Sequence, residues 1–266
     1  MGNALLAAAF TGLATGLGAL PFLFVRDLPA RLYDGILGLG AGLMLAAATM
    51  GLLAEALTGL HGAAGLDTGR FALVIAGFIT GVGLAALMDR FIPHRHARGH
   101  HQHLGHQPGH DAHDRDEEAR RGYTLVGALS IHRIPEGLAI GAGFAVGGSQ
   151  RLGLLLAIAV GLQNACEGVV MCAPLRQGGV SRARGFFVVL LTGLTIPVAA
   201  LVGHTASTEA LRALPFILAL AAGTLIYVTS NEIIPESHSH GHEGTASSGV
   251  VAGFLLTMVL QALLHG

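Results

Sequence analysis

Two stretches of this sequence can be aligned with each other: SIHRIPEGLA at residues 130–139 and GLQNACEGVV at residues 161–170. Each lies inside a long apolar run and carries a polar pair, then a carboxylate, then a glycine. The carboxylate comes four residues after His132 in the first stretch and four residues after Gln163 in the second, so each set faces one side of a helix. Ionisable residues at membrane depth are costly and mark functional sites. Two such helices facing each other predict a site for a divalent cation.

The composition indicates a membrane protein. Hydrophobic residues make up 52% of the 266 residues and charged residues 12%, with a mean hydropathy of +0.62. A soluble domain carries about 25% charged residues. The formal net charge of −1, with no basic face, gives no reason to expect a nucleic-acid partner.

Hydrophobic runs predict an all-α protein with eight membrane-spanning helices in one domain, residues 1–266. Each run has about the twenty residues that cross the hydrocarbon, although the last is short. The predicted spans are Asn3–Phe24, Asp34–Leu57, Phe71–Arg90, Tyr123–Gly147, Leu152–Leu175, Phe186–Gly203, Leu214–Ile234 and Val250–Leu264.

Arginine distribution predicts the orientation. The first, third and fifth connections between spans, counted with Arg90 at the end of the third span, hold eleven Arg, whereas the second, fourth and sixth hold three. The positive-inside rule places the first set in the cytoplasm and both termini outside. We therefore expect a multi-pass protein of the cell's inner membrane, with the lipid bilayer as its surroundings.

The third connection is rich in histidine and acidic residues. We predict a cytoplasmic loop over residues 94–121, disordered without metal, because such a segment cannot build a core. Neutral imidazole suits Zn, Cu, Ni and Fe, so the loop is predicted to bind metal; a polar linker with incidental histidines is the alternative. Its histidines are His94, His96, His100, His101, His103, His106, His110 and His113.

The motifs together resemble those of the ZIP (Zrt/Irt-like) family of divalent metal transporters, prokaryotic type. The segments that carry the resemblance are HRIPEG at 132–137, QNACEG at 163–168, NEIIPESH at 231–238 and AGLMLAA at 41–47. The resemblance implies three, two and three helices, with the outer triplets related by inverted symmetry. It also implies a metal site between the fourth and fifth helices and an elevator-like movement of a transport domain. A homodimer is suggested by the resemblance alone.

The transported ion is expected to be bound by side chains of the second, fourth and fifth spans. Met44 is either a soft ligand or a core thioether. The expected ligands are His132, Glu136, Gln163, Asn164, Glu167 and Met44. This set favours Zn²⁺ and is also compatible with Cd²⁺, Fe²⁺, Mn²⁺, Co²⁺ and Ni²⁺. No cofactor is expected.

The sequence departs from the family at the second metal position. Members with two adjacent metals carry Asn, Asp and Glu where this chain has Arg133, Asn164 and Ile196. Arg is always charged and cannot ligate a cation. We predict a single-metal site in which Arg133 pairs with a carboxylate and replaces the second ion.

The seventh span ends in polar residues that we predict to form an exit path for metal or protons, the alternative being a solvated helix end. They are Asn231, Glu232, Glu236 and His238.

Two other classes of function remain open at this point. A metal sensor or a member that no longer transports is one, because Arg133 could block the site. An intramembrane metal-dependent hydrolase is the other and is disfavoured, because the sequence has no His-Glu-x-x-His motif. We therefore predict that the protein is not an enzyme.

Overall fold

The structure, a computed structural model, describes residues 1–25, 28–58, 61–62, 65–91, 111–145, 151–205 and 207–265. These ranges are helical apart from turns and one short pair of strands. The helices are α1 (Gly2–Ala19), α2 (Ala30–Ala46), α3 (Ala54–Leu57), α4 (Thr68–Phe91), α5 (Asp111–Ala145), α6 (Arg151–Gln177), α7 (Arg182–Thr192), α8 (Thr195–Thr205), α9 (Ser207–Val228), α10 (Ile234–Ser237) and α11 (Glu243–His265). The predicted all-α class is confirmed.

Shorter elements connect or extend these helices. Leu20–Leu23 continues α1 as a 3₁₀ turn. Ala47–Leu53 joins α2 to α3 as a π-helix, and Thr229–Ile233 joins α9 to α10 in the same way. The antiparallel strands β1 (His61–Gly62) and β2 (Gly65–Leu66) form a two-residue ladder before α4.

Seven segments of the described residues are long and apolar enough to cross a membrane. They are Gly2–Leu23, Ala30–Leu57, Thr68–Met88, Arg151–Gln177, Arg182–Thr205, Ala213–Ser237 and Glu243–Leu263. Each overlaps one predicted span. The remaining predicted span, Tyr123–Gly147, falls largely within α5, which is not among the seven, so the number eight stays a prediction.

The structure differs from the sequence prediction in three places. The sixth span is broken by a turn at Gly193 and Leu194, which separates α7 from α8. The last helix is not short, because polar residues from Glu243 onward extend it at its N-terminal end. Residues 111–121, which we had expected in the disordered loop, form the first turns of α5. Several acidic side chains begin that segment, where they favour a helix N-terminus.

Glycines allow the helices to pair with their backbones almost in contact. A Cβ atom on Gly42 would collide with the carbonyl oxygen of Val250 in α11, and one on Gly253 would collide with that of Leu39 in α2. The same reciprocal approach occurs between α4 and α9 and between α5 and α8. Small residues permit this spacing between membrane helices.

These pairs arrange the helices around α6. The helix α6 packs against α1, α2 and α5, and α5 packs in turn against α8 and α9. Most of the side chains of α6 are buried. The buried polar residues of the two aligned stretches, Arg133, Glu136, Gln163, Asn164 and Glu167, therefore lie in the interior of the protein.

Candidate metal-binding site

The carboxylates of the two aligned stretches lie buried where α5 meets α6. Glu136 of α5 is 1% exposed and Glu167 of α6 is 2% exposed. Gln163, one turn before Glu167, is fully buried and donates a hydrogen bond from Nε2 to Oε1 of Glu136 at 2.6 Å. The spacing of four residues in α6 places Gln163 and Glu167 on the face of that helix that meets α5.

Arg133 is the cation of this cluster and is fully buried. Its Nη2 lies 2.9 Å and its Nε 3.3 Å from Oε2 of Glu167, so the two side chains form a buried salt bridge. Its Nη1 donates a hydrogen bond to the hydroxyl of Thr192, the last residue of α7. The expected pairing of Arg133 with a carboxylate is present. Its role as a substitute for a second ion is not tested by this contact.

The other predicted ligands have different surroundings. Asn164 is fully buried and donates from Nδ2 to the carbonyl oxygen of Thr11 in α1 at 3.2 Å. Met44 is buried near the end of α2, just before the chain enters the π-helix. The backbone of His132 lies in α5, but its side chain is outside the described part of the structure. Among the described side chains, no three of His, Cys, Asp and Glu are grouped as metal ligands.

The amide oxygens at this junction add to its capacity to bind a cation. Oε1 of Gln163 and Oδ1 of Asn164 are buried and have no hydrogen-bond donor among the described residues. A buried acceptor of this kind is costly unless it has a partner. Together with the carboxylates, these amides form an oxygen-rich interior that suits a divalent ion.

Ile196, at the start of α8, lies close to this cluster. Its carbonyl oxygen would be only 2.6 Å from a Cβ on Gly137, the residue that follows Glu136. Ile196 is fully buried. An apolar side chain therefore occupies the position where the family resemblance places a carboxylate.

The predicted exit residues lie at the end of the seventh span. Asn231 and Glu232 are in the π-helix Thr229–Ile233, and Glu236 is in α10. His238 follows α10; its Nε2 lies 3.1 Å from the hydroxyl of Ser247 in α11. Its Nδ1 lies 2.9 Å from the carbonyl oxygen of Ile234. The predicted loop histidines His94 to His110, and the side chain of His113, are outside the described residues.

Sequence reasoning missed a second polar cluster, which we call the Asp34 clasp: Asp34, His240 and His242. Asp34, in the first turns of α2, is fully buried. Its Oδ1 lies 2.7 Å from Nδ1 of His240 and its Oδ2 lies 3.2 Å from Nδ1 of His242. An acidic residue inside an apolar span was the available signal. Its partners lie 206 and 208 residues away and could not be read from spacing.

Thr192 was missed as well. It is one of two threonines, with Thr195, in an otherwise apolar run, and membrane helices commonly satisfy such hydroxyls on their own backbone. Only the three-dimensional approach of α7 to Arg133 distinguishes it from Thr205 or Thr80, whose described hydrogen bonds go to backbone carbonyls of the preceding turn.

Comparison with known proteins identifies close relatives. The family model described as "ZIP Zinc transporter" matches residues 91–261. "Zinc transporter ZIPB" of Bordetella bronchiseptica is 39% identical over 280 residues, covering 99% of this chain and 82% of that protein. "Zinc transporter GufA" of Myxococcus xanthus is 37% identical and covers 98% of both chains. "Zinc transporter ZupT" of Akkermansia muciniphila is 31% identical, covering 94% of this chain and 93% of that protein.

Proposed function

Because this chain belongs to the ZIP zinc transporter family, we propose that it carries a divalent transition-metal ion, Zn²⁺ above all, across the membrane into the cytoplasm. Members of this family are transporters, and the prediction that the protein is not an enzyme is confirmed. The observation that carries the proposal is the pair of buried carboxylates, Glu136 and Glu167, at the junction of α5 and α6.

The proposed ion site is formed by Glu136, Gln163 and Glu167, with His132 completing the set. Burial of two carboxylates without compensating charge is strongly unfavourable. A divalent cation supplies that charge, and the imidazole and amide groups complete a coordination shell suited to Zn²⁺. Asn164, which is buried within α6, and Met44, which is buried in α2, are further candidates.

Charge bookkeeping supports a single ion. The two carboxylates contribute two negative charges and Arg133 one positive charge, which leaves the cluster at −1 before an ion binds. One Zn²⁺ brings it to +1, whereas a second would bring it to +3 in a buried site. The salt bridge from Arg133 to Glu167, and the apolar Ile196, therefore both support Arg133 as the substitute for a second ion.

The packing of the helices supports the inverted repeat that the family resemblance implies. In that arrangement the first, second and third spans correspond to the sixth, seventh and eighth. The pair α2 with α11 then corresponds to α9 with α4, and α1 with α6 corresponds to α8 with α5; all four pairs pack closely. Both the second and the seventh spans pass through a π-helix into a final short α-helix.

Two groups of helices follow from the same contacts. The helices α1, α5, α6 and α8 pack mainly on one another, and α2, α4, α9 and α11 form the other two close pairs. We propose that the first group, which holds Glu136 and Glu167, moves past the second in an elevator-like shift. Ions then leave past Asn231, Glu232, Glu236 and His238 toward the His-rich cytoplasmic loop, with both termini on the extracytoplasmic side of the membrane.

One observation favours a second candidate function, a metal sensor or a member that does not transport. The salt bridge between Arg133 and Glu167 occupies a carboxylate that the ion needs. If the ion cannot displace the guanidinium during each cycle, the protein would bind metal without moving it. Flux separates the two functions directly.

Zinc uptake into proteoliposomes tests the proposal. We expect uptake by the unchanged protein, and uptake reduced to the level of empty vesicles by Glu136→Gln and by Glu167→Gln. These substitutions keep the side-chain volume while removing the charge. Glu243→Gln, an exposed residue at the start of α11, is the matched control and should transport normally. Binding without flux would favour the sensor, and full uptake by both core variants would disprove the site.

A further inference from the structure

Thr192 holds the guanidinium of Arg133 from the side opposite Glu167. The hydroxyl of Thr192 donates its own hydrogen to the carbonyl oxygen of Val189 at 2.6 Å. Its lone pairs are thereby directed away from that carbonyl, and one of them accepts the hydrogen bond from Nη1 of Arg133. A threonine hydroxyl has one donor and two acceptor sites, so this arrangement uses it as an acceptor for the cation.

The contact with Glu167 is one-sided. Both hydrogen bonds from Arg133, those from Nε and Nη2, end on the same oxygen, Oε2. An arginine that is unrestrained beside a carboxylate prefers the fork geometry, in which two N–H groups reach two oxygens. The third nitrogen, Nη1, is occupied by Thr192. The guanidinium is therefore held short of the geometry that binds a carboxylate most strongly.

Thr192 is itself firmly placed. Its carbonyl oxygen accepts a hydrogen bond from the hydroxyl of Thr195 at 2.8 Å, across the turn between α7 and α8. The next residue, Gly193, packs backbone to backbone against Gly12 of α1, and the contact is reciprocal. A hydroxyl fixed in this way can determine the position of a flexible arginine side chain, rather than follow it.

We propose that Thr192 is a positioning residue that sets the affinity of the core site for its ion. It does so by restraining Arg133 to one oxygen of Glu167, so that an arriving divalent cation has a weaker competitor for that carboxylate. This inference rests on the proposed transport function and adds to it a residue outside the ligand set. Thr192 does not touch the ion; it acts through Arg133.

Removal of the hydroxyl gives the test. In Thr192→Val the side-chain shape is kept, but Nη1 loses its acceptor in a buried place. The guanidinium is then free to turn onto both oxygens of Glu167. We expect zinc to bind roughly ten- to a hundredfold more weakly, the size of one hydrogen bond to a charged group. Thr192→Ser keeps the hydroxyl and should retain an affinity close to that of the unchanged protein.

The measurement is calorimetry with zinc on the purified full-length protein. Zinc binding to the histidine-rich segments also releases or absorbs heat. That contribution is measured in a Glu136→Gln/Glu167→Gln protein, which retains those segments, and is subtracted. The same variants are compared for zinc uptake, where Thr192→Val should raise KM. A purely structural defect would instead lower the maximal rate at unchanged KM. Thr224→Val is the matched control, because among the described residues this buried threonine bonds only to the carbonyl oxygens of Leu220 and Gly81.

Arg133→Asn makes the test specific. If Thr192 acts through the guanidinium, Thr192→Val should have no effect on zinc affinity in the Arg133→Asn protein. Loss of affinity in that background, or unchanged affinity of Thr192→Val alone, would overturn the inference. A failure of the proposed function would give a different result. The Glu136→Gln/Glu167→Gln protein would then bind as much zinc as the unchanged protein, and both proposals would be disproved.

Discussion

Arg133→Asn should make the stability of this protein depend more strongly on zinc. Nη2 of Arg133 lies 2.9 Å from Oε2 of Glu167, and both side chains are buried. A unit charge pair at that distance attracts by about 6 kcal/mol at an effective dielectric constant of about 20. Desolvation of the pair offsets part of this attraction, and removing one partner of a buried pair costs about 3–5 kcal/mol.

The expected loss of stability in Arg133→Asn can be observed as a decrease in melting temperature. For a chain of this size about 1 kcal/mol corresponds to about 2–4 °C, so the variant in a chelator should melt roughly 6–20 °C lower. Because the chain contains no Trp, unfolding is best followed by the loss of the monodisperse peak in size-exclusion chromatography after heating. Zinc then supplies the missing positive charge. At a concentration about 100 times Kd, zinc binding raises the free energy of unfolding by about 2.7 kcal/mol.

The comparison that matters is the gain in melting temperature on adding zinc. At equal zinc concentration it should be larger for Arg133→Asn than for the unchanged protein, in which the ion competes with the guanidinium. Arg176→Asn is the matched control: Arg176 is also buried, but it donates to the carbonyl oxygen of Val180. Its loss should lower the melting temperature without enlarging the zinc gain. Equal gains for all three proteins would refute the reasoning.

Two further predictions concern stoichiometry and the His-rich segment. The unchanged protein should bind one core ion, whereas Arg133→Asn/Asn164→Asp should bind two, since an Asp at 164 adds a negative charge and loses the hydrogen bond to Thr11. Anomalous scattering at the zinc edge counts the bound ions. Two core ions in the unchanged protein would contradict the idea that Arg133 substitutes for the second ion. Deletion of residues 95–113 should leave zinc flux detectable in proteoliposomes while changing the response of the flux to cytoplasmic zinc. Complete loss of flux in a deletion variant that still folds would show that the segment belongs to the transport pathway.

The aligned stretches could be placed from sequence because their pattern is periodic and local. A spacing of four residues fixes a shared helix face whatever the tertiary structure, and the carboxylates Glu136 and Glu167 were found this way. Hydrophobic runs likewise locate spans, because the membrane imposes one minimum length on all of them. The conformational details inside the spans, such as the turn at Gly193, were not visible, because glycine is common throughout membrane helices.

The contacts that could not be predicted are those between residues far apart in the chain. Thr192 meets Arg133 only because α7 approaches α5, and nothing in its neighbours distinguishes it from other threonines. The start of α5 was misjudged for a different reason. Its highly charged composition, next to the histidine-rich segment, is typical of disordered segments, but acidic residues also favour the N-terminal end of a helix.

The Asp34 clasp has a consequence for the biogenesis of this protein. Asp34 enters the membrane early, but its partners His240 and His242 are synthesised more than two hundred residues later. At about 5–20 residues per second, the ribosome needs roughly 10–40 s to produce them. During that interval the ionised carboxylate is more stable in water at the bilayer surface than buried, because burial of a charge without a partner is unfavourable. The first turns of α2 can therefore settle into place only after the chain is nearly finished, which makes the closing of the clasp one of the last steps of assembly.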